Sequence, residues 1–242
     1  NKSDVCNNVI RKLQIQTELN GGTPHIDKIG IRGFLSELTY PLYFLDFETQ
    51  QSIIPPFDKA KPFQQIPFQY SLHYIESNGG ELNHKEFLGV SGEDSRRIIA
   101  ENLVRDIPDN ACVLAYNKSF ECGRIKELAE MFPDLAEPLM KIQGNIVDLL
   151  SVFSSGYYYL QQMHGSLSIK SVLPAMFPND PSLNYDNLDG VHNGGQAMTV
   201  FKMIKDMPIA EQASTRQNLL KYCELDTLAM VRIWQELTRV SK

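Results

Sequence analysis

The chain has 242 residues, 43% hydrophobic and 21% charged, with a formal net charge of −6 and four cysteines. That length allows one large α/β domain with a real core, or two small ones. The acidic balance, without any Lys/Arg-rich run, argues against holding nucleic acid on a broad basic face. No apolar run reaches transmembrane length and no signal peptide is visible. Without an initiating Met, the sequence reads as a domain cut from a longer polypeptide, cytoplasmic and with no membrane partner. Cys6, Cys112, Cys122 and Cys223 form no C-x-x-C pair. The last three sit in apolar segments, which favours buried free thiols in a reducing cytoplasm. With the five histidines scattered as well, no zinc site is expected from the cysteines.

Residues 1–40 read as a linker segment, with a loop at Asn20-Gly21-Gly22-Thr23-Pro24 and a short helix over Ile26 to Leu38. Leu42 to Thr49 is a strand apolar on both faces, hence central and buried. A Pro- and Gln-rich loop follows. Phe68 to Ile75 and Leu82 to Val90 form a hairpin joined at Ser77-Asn78-Gly79-Gly80. Glu93 to Ile107 is an amphipathic helix with Ile98, Ile99, Leu103 and Val104 inward. Ala111 to Tyr116 is a buried strand running into a helix that ends near Phe132. Further helix is expected over Leu135 to Met140, and a short strand over Asn145 to Leu149. Ser168 to Phe177 reads as a helix cut by Pro174. Gly194-Gly195 opens a helix to about Met207, and Glu211 to Val240 is one long final helix. The expectation is a single α/β domain over 41–242, with three antiparallel strands and then parallel ones in a mixed five-stranded sheet. Helices cover both faces.

Two features break the apolar pattern. Asp46 and Glu48 are two apart on the central strand, so they share a face with Phe44, while Tyr43, Leu45 and Phe47 take the other. Like charges buried side by side need a cation or a proton. On the last helix, Leu219, Tyr222, Asp226, Ala229, Met230, Ile233 and Leu237 form one stripe, apolar except at Asp226. Tyr222 lies one turn from Asp226 on that face. Glu121 stands just after a buried strand at a helix start, where α/β sheets place ligands. Hard oxygen ligands from separate elements suit Mg²⁺ or Mn²⁺, and a pair of such ions is a known solution for phosphodiester cleavage. Each residue also has a bland reading: Glu121 as a first-turn acid favoured by the helix dipole, Asp226 as half of a salt bridge, Tyr222 as core. Asp148 reads as structural, His164 and His192 as loop residues. The Gly156-Tyr157-Tyr158-Tyr159 run reads either as a platform for exposed bases or as packing under a loop. Lys118, Lys170 and Arg124 lie close enough in sequence to touch phosphates.

The ordered set Asp46-x-Glu48, Asn117-x-x-Phe120-Glu121 and Tyr222-x-x-x-Asp226 resembles the three motifs of the DEDD exonuclease superfamily, in its DEDDy branch. Ile146-Val147-Asp148-Leu149-Leu150 and Ser166 to Leu173 resemble its secondary motifs. More closely, the Tyr-Phe-Leu-Asp-Phe-Glu-Thr segment at 43–49, Gln-Gln-Ile-Pro-Phe-Gln-Tyr-Ser at 64–71, Tyr-Asn-Lys-Ser-Phe-Glu at 116–121 and Tyr-Cys-Glu-Leu-Asp at 222–226 resemble a bacterial family. In it such a domain follows a RecB-like nuclease region. The resemblance covers roughly 41–240. It implies a ribonuclease H-like fold and a metal-dependent 3′-5′ exonuclease acting on DNA or RNA through two Mg²⁺ or Mn²⁺ ions. Its partners would be a single-stranded 3′ end and the upstream RecB-like region of the same polypeptide. Asp46 would bridge both ions, Glu48 and Asp226 would complete the tighter site, and Glu121 would serve the second. Tyr222 would orient the attacking water, and Thr49, Asn117 and Phe120 would touch substrate. Glu121 departs from the motif, which normally carries Asp there. The alternative is a catalytically weak or inactive scaffold that binds nucleic acid or protein for an upstream nuclease.

Overall fold

A computed structural model describes residues 8–242; Cys6 and the start of the linker segment lie outside them. Helix α1 (Val9–Leu19) begins at Asn8, whose side chain accepts from the Arg11 amide. Strand β1 (His25–Ile26) leads into helix α2 (Lys28–Leu35). The expected helix over Ile26 to Leu38 is thus shorter at both ends. Asp27 sets its start, because its carboxylate accepts from the amides of Ile29 and Gly30 as an N-cap. Leu13, Ile31 and Phe34 are buried in the main core, so much of the leading segment packs onto the domain.

The sheet is built from strands β2 (Leu42–Gln50), β3 (Ile66–Ile75), β4 (Asn83–Leu88), β5 (Cys112–Ala115) and β6 (Ile146–Asp148). They lie in the order β4-β3-β2-β5-β6. β2, β3 and β4 pair antiparallel, and β2-β5 and β5-β6 pair parallel, giving the mixed α/β architecture. Helix α3 (Arg96–Asp106) precedes β5, and α4 (Ser119–Met131) and α5 (Ala136–Gly144) connect β5 to β6. Past β6 come α6 (Leu150–Ser154), β7 (Tyr158–Tyr159), α7 (Ile169–Met176), α8 (Gly194–Met203) and α9 (Ile209–Ser241).

Two apolar clusters lie on opposite faces of the sheet. Phe44 and Phe68 belong to one, closed by α2, α8 and α9. Tyr43, Leu45 and Phe47 belong to the other, closed by α3, α4 and α5. The alternation read along β2 therefore holds. On α3 the inward face is Ile99, Ala100 and Leu103; Ile98 is exposed and Val104 only partly buried. The expected set was rotated because Asn102 and Asp106 also turn inward, and Asp106 accepts from Tyr70, Lys85 and Arg105. Pro174 does not cut α7: in so short a helix its missing N–H removes at most one ladder bond. The helix at Gly194 gives way after Met203 to a 3₁₀ turn, Ile204–Asp206.

β7 pairs antiparallel with β1 in a separate two-stranded sheet. Tyr158 and Tyr159 are buried there, so the tyrosine run is packing rather than an exposed platform. α9, about 50 Å long at 1.5 Å per residue, is held at its end by Arg32, which donates to the Ser241 carbonyl. No helix among the described residues is long and apolar enough to cross a membrane.

Candidate functional site

The site forms where the carboxy-terminal half of β2 meets α9. Every residue of the predicted α9 stripe is buried, which brings Asp226 against the face of β2 carrying Asp46 and Glu48. Carboxylate oxygens from these three residues lie within 4.8 Å of one another. Glu48 is 7% and Asp226 6% exposed. Beside Glu48 the β2-β3 register shifts between Glu48 and Thr49, a bulge of the kind that re-aims side chains next to functional sites. α8 starts at the same place: a Cβ on Gly194 would stand 3.5 Å from Glu48 Oε2. The amino-terminal end of that helix, which favours negative charge, therefore borders the carboxylate.

Crowded, buried acids hold on to protons. Burial, then the charges of Asp226, Glu121 and Glu48, push the Asp46 carboxyl well above the usual range. Burial and Asp226 raise Glu48 to about 8. Asp226 rises through burial to only about 6, because hydrogen bonds from Tyr185 and Tyr222 and the charge of Lys170 favour its ionised form. The Tyr185 hydroxyl donates to Asp226 Oδ1 at 2.6 Å. Lys170 Nζ donates to the Tyr222 hydroxyl at 2.7 Å and to the His192 carbonyl at 3.0 Å, and sits over both tyrosine rings. Burial and the neighbouring carboxylates hold the Tyr222 hydroxyl protonated far above its usual range.

Glu121 is placed differently from the other three. It lies in the first turn of α4 and is 2% exposed, close enough to raise Asp46 but outside the three-carboxylate group. Burial lifts its own carboxyl to about 8, and its Oε2 has no hydrogen-bond partner among the described residues. Gln69, the cross-strand partner of Glu48, has a buried Oε1 in the same condition, as does Nε of Arg124 three residues after Glu121. Buried polar atoms are nearly always paired, so the unpaired Oε2 of Glu121, whose charge reaches Asp46, stands out among the described residues. The three converging carboxylates, with Glu121 nearby, fit a hard divalent cation.

Of the remaining predicted residues, Thr49 is buried and donates to Gln65 Oε1 at 2.5 Å. Asn117 is exposed in a left-handed turn (φ 71°), its amide donating to Asp148 Oδ1. Asp148 also accepts from the Leu150 amide, a structural role. Phe120 lies under the Arg124 guanidinium. Lys118 reaches only the Ile146 carbonyl. Cys223 is buried, with Sγ 3.9 Å from Asp46 Oδ2, and Cys112, Cys122 and Cys223 are all free thiols. The sequence reading missed Tyr185 and Gly194 as parts of the site. Tyr185 opens a single 3₁₀ turn, Tyr185–Asn187, too short for any periodicity to mark it; the Gly-Gly pair was visible only as a helix start. Lys170 and Tyr185 also line a cavity of about 670 Å³ with Phe177, Asn184, Asp186 and His192.

Fold and site together define an α/β domain with a mixed five-stranded sheet and a buried carboxylate cluster on its central strand. The chain belongs to the family described as Domain of unknown function (DUF2779), which matches residues 43–168, just over half its length. It is 29% identical over 207 residues to "Uncharacterized protein MG366 homolog" of Mycoplasma pneumoniae, covering 78% of this chain and 31% of that protein. It is also 29% identical over 211 residues to "Uncharacterized protein UU173" of Ureaplasma parvum, covering 78% of this chain and 30% of that one. The chain thus spans about a third of the length of the curated relatives it matches. No solved structure matches it.

Proposed function

We propose that this domain is a metal-dependent 3′-5′ exonuclease of ribonuclease H-like architecture, hydrolysing phosphodiester bonds of DNA or RNA to release nucleoside 5′-monophosphates. The observation that carries this reading is the convergence of Asp46, Glu48 and Asp226 within 4.8 Å, with the protonated Tyr222 beside them. Asp46, Glu48 and Asp226 would hold Mg²⁺ or Mn²⁺, with Glu121 on a second ion, and these ions supply charge neutralisation and an acidified water when bound. Tyr222 acts as an orienting donor rather than a base. Lys170 occupies an acceptor position on its oxygen, which leaves the phenolic proton to point at Asp226 or at the attacking water. Tyr185 fixes one oxygen of Asp226 and so keeps that carboxylate ionised and aimed. The cavity beside Lys170 and Tyr185 is of a size that takes a nucleotide. Thr49, Asn117 and Phe120 remain the proposed substrate contacts, and an upstream RecB-like nuclease region of the same polypeptide the proposed partner.

The test is degradation of end-labelled single-stranded DNA and RNA with Mn²⁺. Wild type is expected to shorten strands from the 3′ end. Asp46→Ala should lose on the order of 10²-fold or more, the scale of losing one preorganised electrostatic group. Equal activity in both proteins, or none in either, refutes the reading.

The position of Glu121 outside the three-carboxylate group favours a second reading, an inactive scaffold without a working cation site that binds nucleic acid or protein for an upstream nuclease. Calorimetry separates the two. A scaffold without a cation site shows no Mn²⁺ binding that Asp46→Ala abolishes, whereas the nuclease shows one.

A further inference from the structure

A second group of ligand-type side chains lies on the same sheet face, towards its β4 edge. His73 on β3 and His84 on β4 are cross-strand partners, their rings 4.4 Å apart between centroids. Glu224 of α9 completes the group, and ligand atoms of the three residues lie within 4.8 Å of one another. His73 is 4% exposed; His84 and Glu224 are half-buried. The proposed nuclease chemistry uses none of them.

The hydrogen bonds around Ser71 and Thr227 accommodate an assignment that leaves one nitrogen of each ring free for a metal. In it the Thr227 hydroxyl donates to the Glu224 carbonyl at 3.1 Å. Thr227 Oγ1 then accepts from His73 Nδ1 at 2.7 Å and from the Ser71 hydroxyl at 2.7 Å. Having donated to Thr227, Ser71 Oγ accepts from His84 Nε2 at 2.9 Å. In this assignment the protons sit on His73 Nδ1 and His84 Nε2. The opposite nitrogens, His73 Nε2 and His84 Nδ1, carry bare lone pairs and make no hydrogen bond among the described residues. This is the arrangement of metal-ligating imidazoles: one nitrogen donates to an oxygen that fixes ring and tautomer, and the other faces the ion.

We propose that His73, His84 and Glu224 form a transition-metal site of the zinc class, distinct from the carboxylate cluster. Two imidazoles and one carboxylate suit Zn²⁺ or Co²⁺ rather than Mg²⁺. The fourth position falls to water, since His84 and Glu224 both reach the surface. An ion here ties the β3-β4 hairpin to α9 two residues from Asp226, so it braces the helix that supplies that carboxylate.

The experiment titrates chelator-stripped protein with Co²⁺, and then with Zn²⁺, as wild type, Asp46→Asn, His84→Ala, Glu224→Gln and Thr227→Val. Asp46→Asn is expected to retain one equivalent of Co²⁺ with the intense visible absorption of four-coordinate cobalt, displaced by Zn²⁺. His84→Ala and Glu224→Gln should lose that absorption. Thr227→Val, which removes the oxygen that holds His73 and, through Ser71, His84, should weaken Zn²⁺ about 10–100-fold. In wild type, Zn²⁺ should shift the ring resonances of both histidines in NMR spectra. Metal-free melting curves establish that each variant folds. If His84→Ala does not, Glu224→Gln and the wild-type resonances decide. The proposal fails if cobalt gives no such absorption, if Asp46→Asn abolishes it, or if it survives in His84→Ala or Glu224→Gln. It fails equally if the histidine resonances ignore Zn²⁺.

Discussion

Asp226 shows how much a single hydroxyl can decide. Three carboxylates stand together, Glu48 and Asp226 buried and Asp46 partly so, yet Asp226 rises only to about 6 while Glu48 reaches about 8, and Tyr185 donates to Asp226 at 2.6 Å. Tyr185→Phe leaves the ring and removes the donor. A hydrogen bond to a charged group contributes about 1.5–3 kcal/mol, so urea unfolding at pH 7.5 should show a loss of that order. Calorimetry should show Mn²⁺ affinity falling about 10–100-fold, as for other groups that orient a metal ligand. An unchanged affinity would leave Tyr185 as packing alone. Glu121 presents the opposite case: its buried Oε2 has no partner among the described residues, and an unpaired buried polar atom costs free energy.

Among the elements, β2 and α9 determine whether the site exists. β2 is buried on both faces, and Leu45 is fully buried in the cluster beneath α3 and α4. Leu45→Ala should destabilise by about 2–5 kcal/mol in urea unfolding, on the face opposite the carboxylates and without touching them. α9 also clasps the sheet edge. Arg216 donates to the carbonyls of Leu88 and Gly89, satisfying acceptors where β4 ends. Arg216→Ala should therefore speed amide hydrogen exchange along β4 while leaving the central part of β2 protected. Equal acceleration in both strands would show that the hairpin and the centre open together.

For the whole molecule, the raised acids link stability to pH. Glu48 and Glu121 titrate near 4.5 when unfolded and near 8 in the fold. Between those values the native state holds protons that the unfolded chain has released, so stability falls as pH rises. His73, pushed down by burial to about 4 from 6.5, acts in the opposite sense: the native state stays neutral where the unfolded chain is charged. Its contribution is complete above 6.5. From pH 6.5 to 8, then, metal-free protein should lose stability, read as a falling urea midpoint in the presence of chelator. In the proposed function Mn²⁺ binds the ionised carboxylates, so its addition should abolish or reverse that slope. A midpoint that falls equally with and without Mn²⁺ would mean that the cluster does not take the ion.

Local periodicity carries far in this protein. The period of two along β2 and the helical stripe on α9 are properties of single elements, and both put their acids on the core face that the structure shows. The hairpin, the strand types and the mixed sheet followed from turn residues and apolar runs for the same reason. Helix phase was less legible on α3, where Asp106 turns inward to meet Tyr70 and Lys85 from other parts of the chain. What only the tertiary structure decided is which distant groups meet. Tyr185 reaches Asp226 from a short 3₁₀ turn, Lys170 crosses to Tyr222, Glu121 stops outside the three-carboxylate group, and the β3-β4 register sets His73 beside His84. Each of these depends on pairing between elements far apart in sequence, and no pattern within one element encodes such a distance.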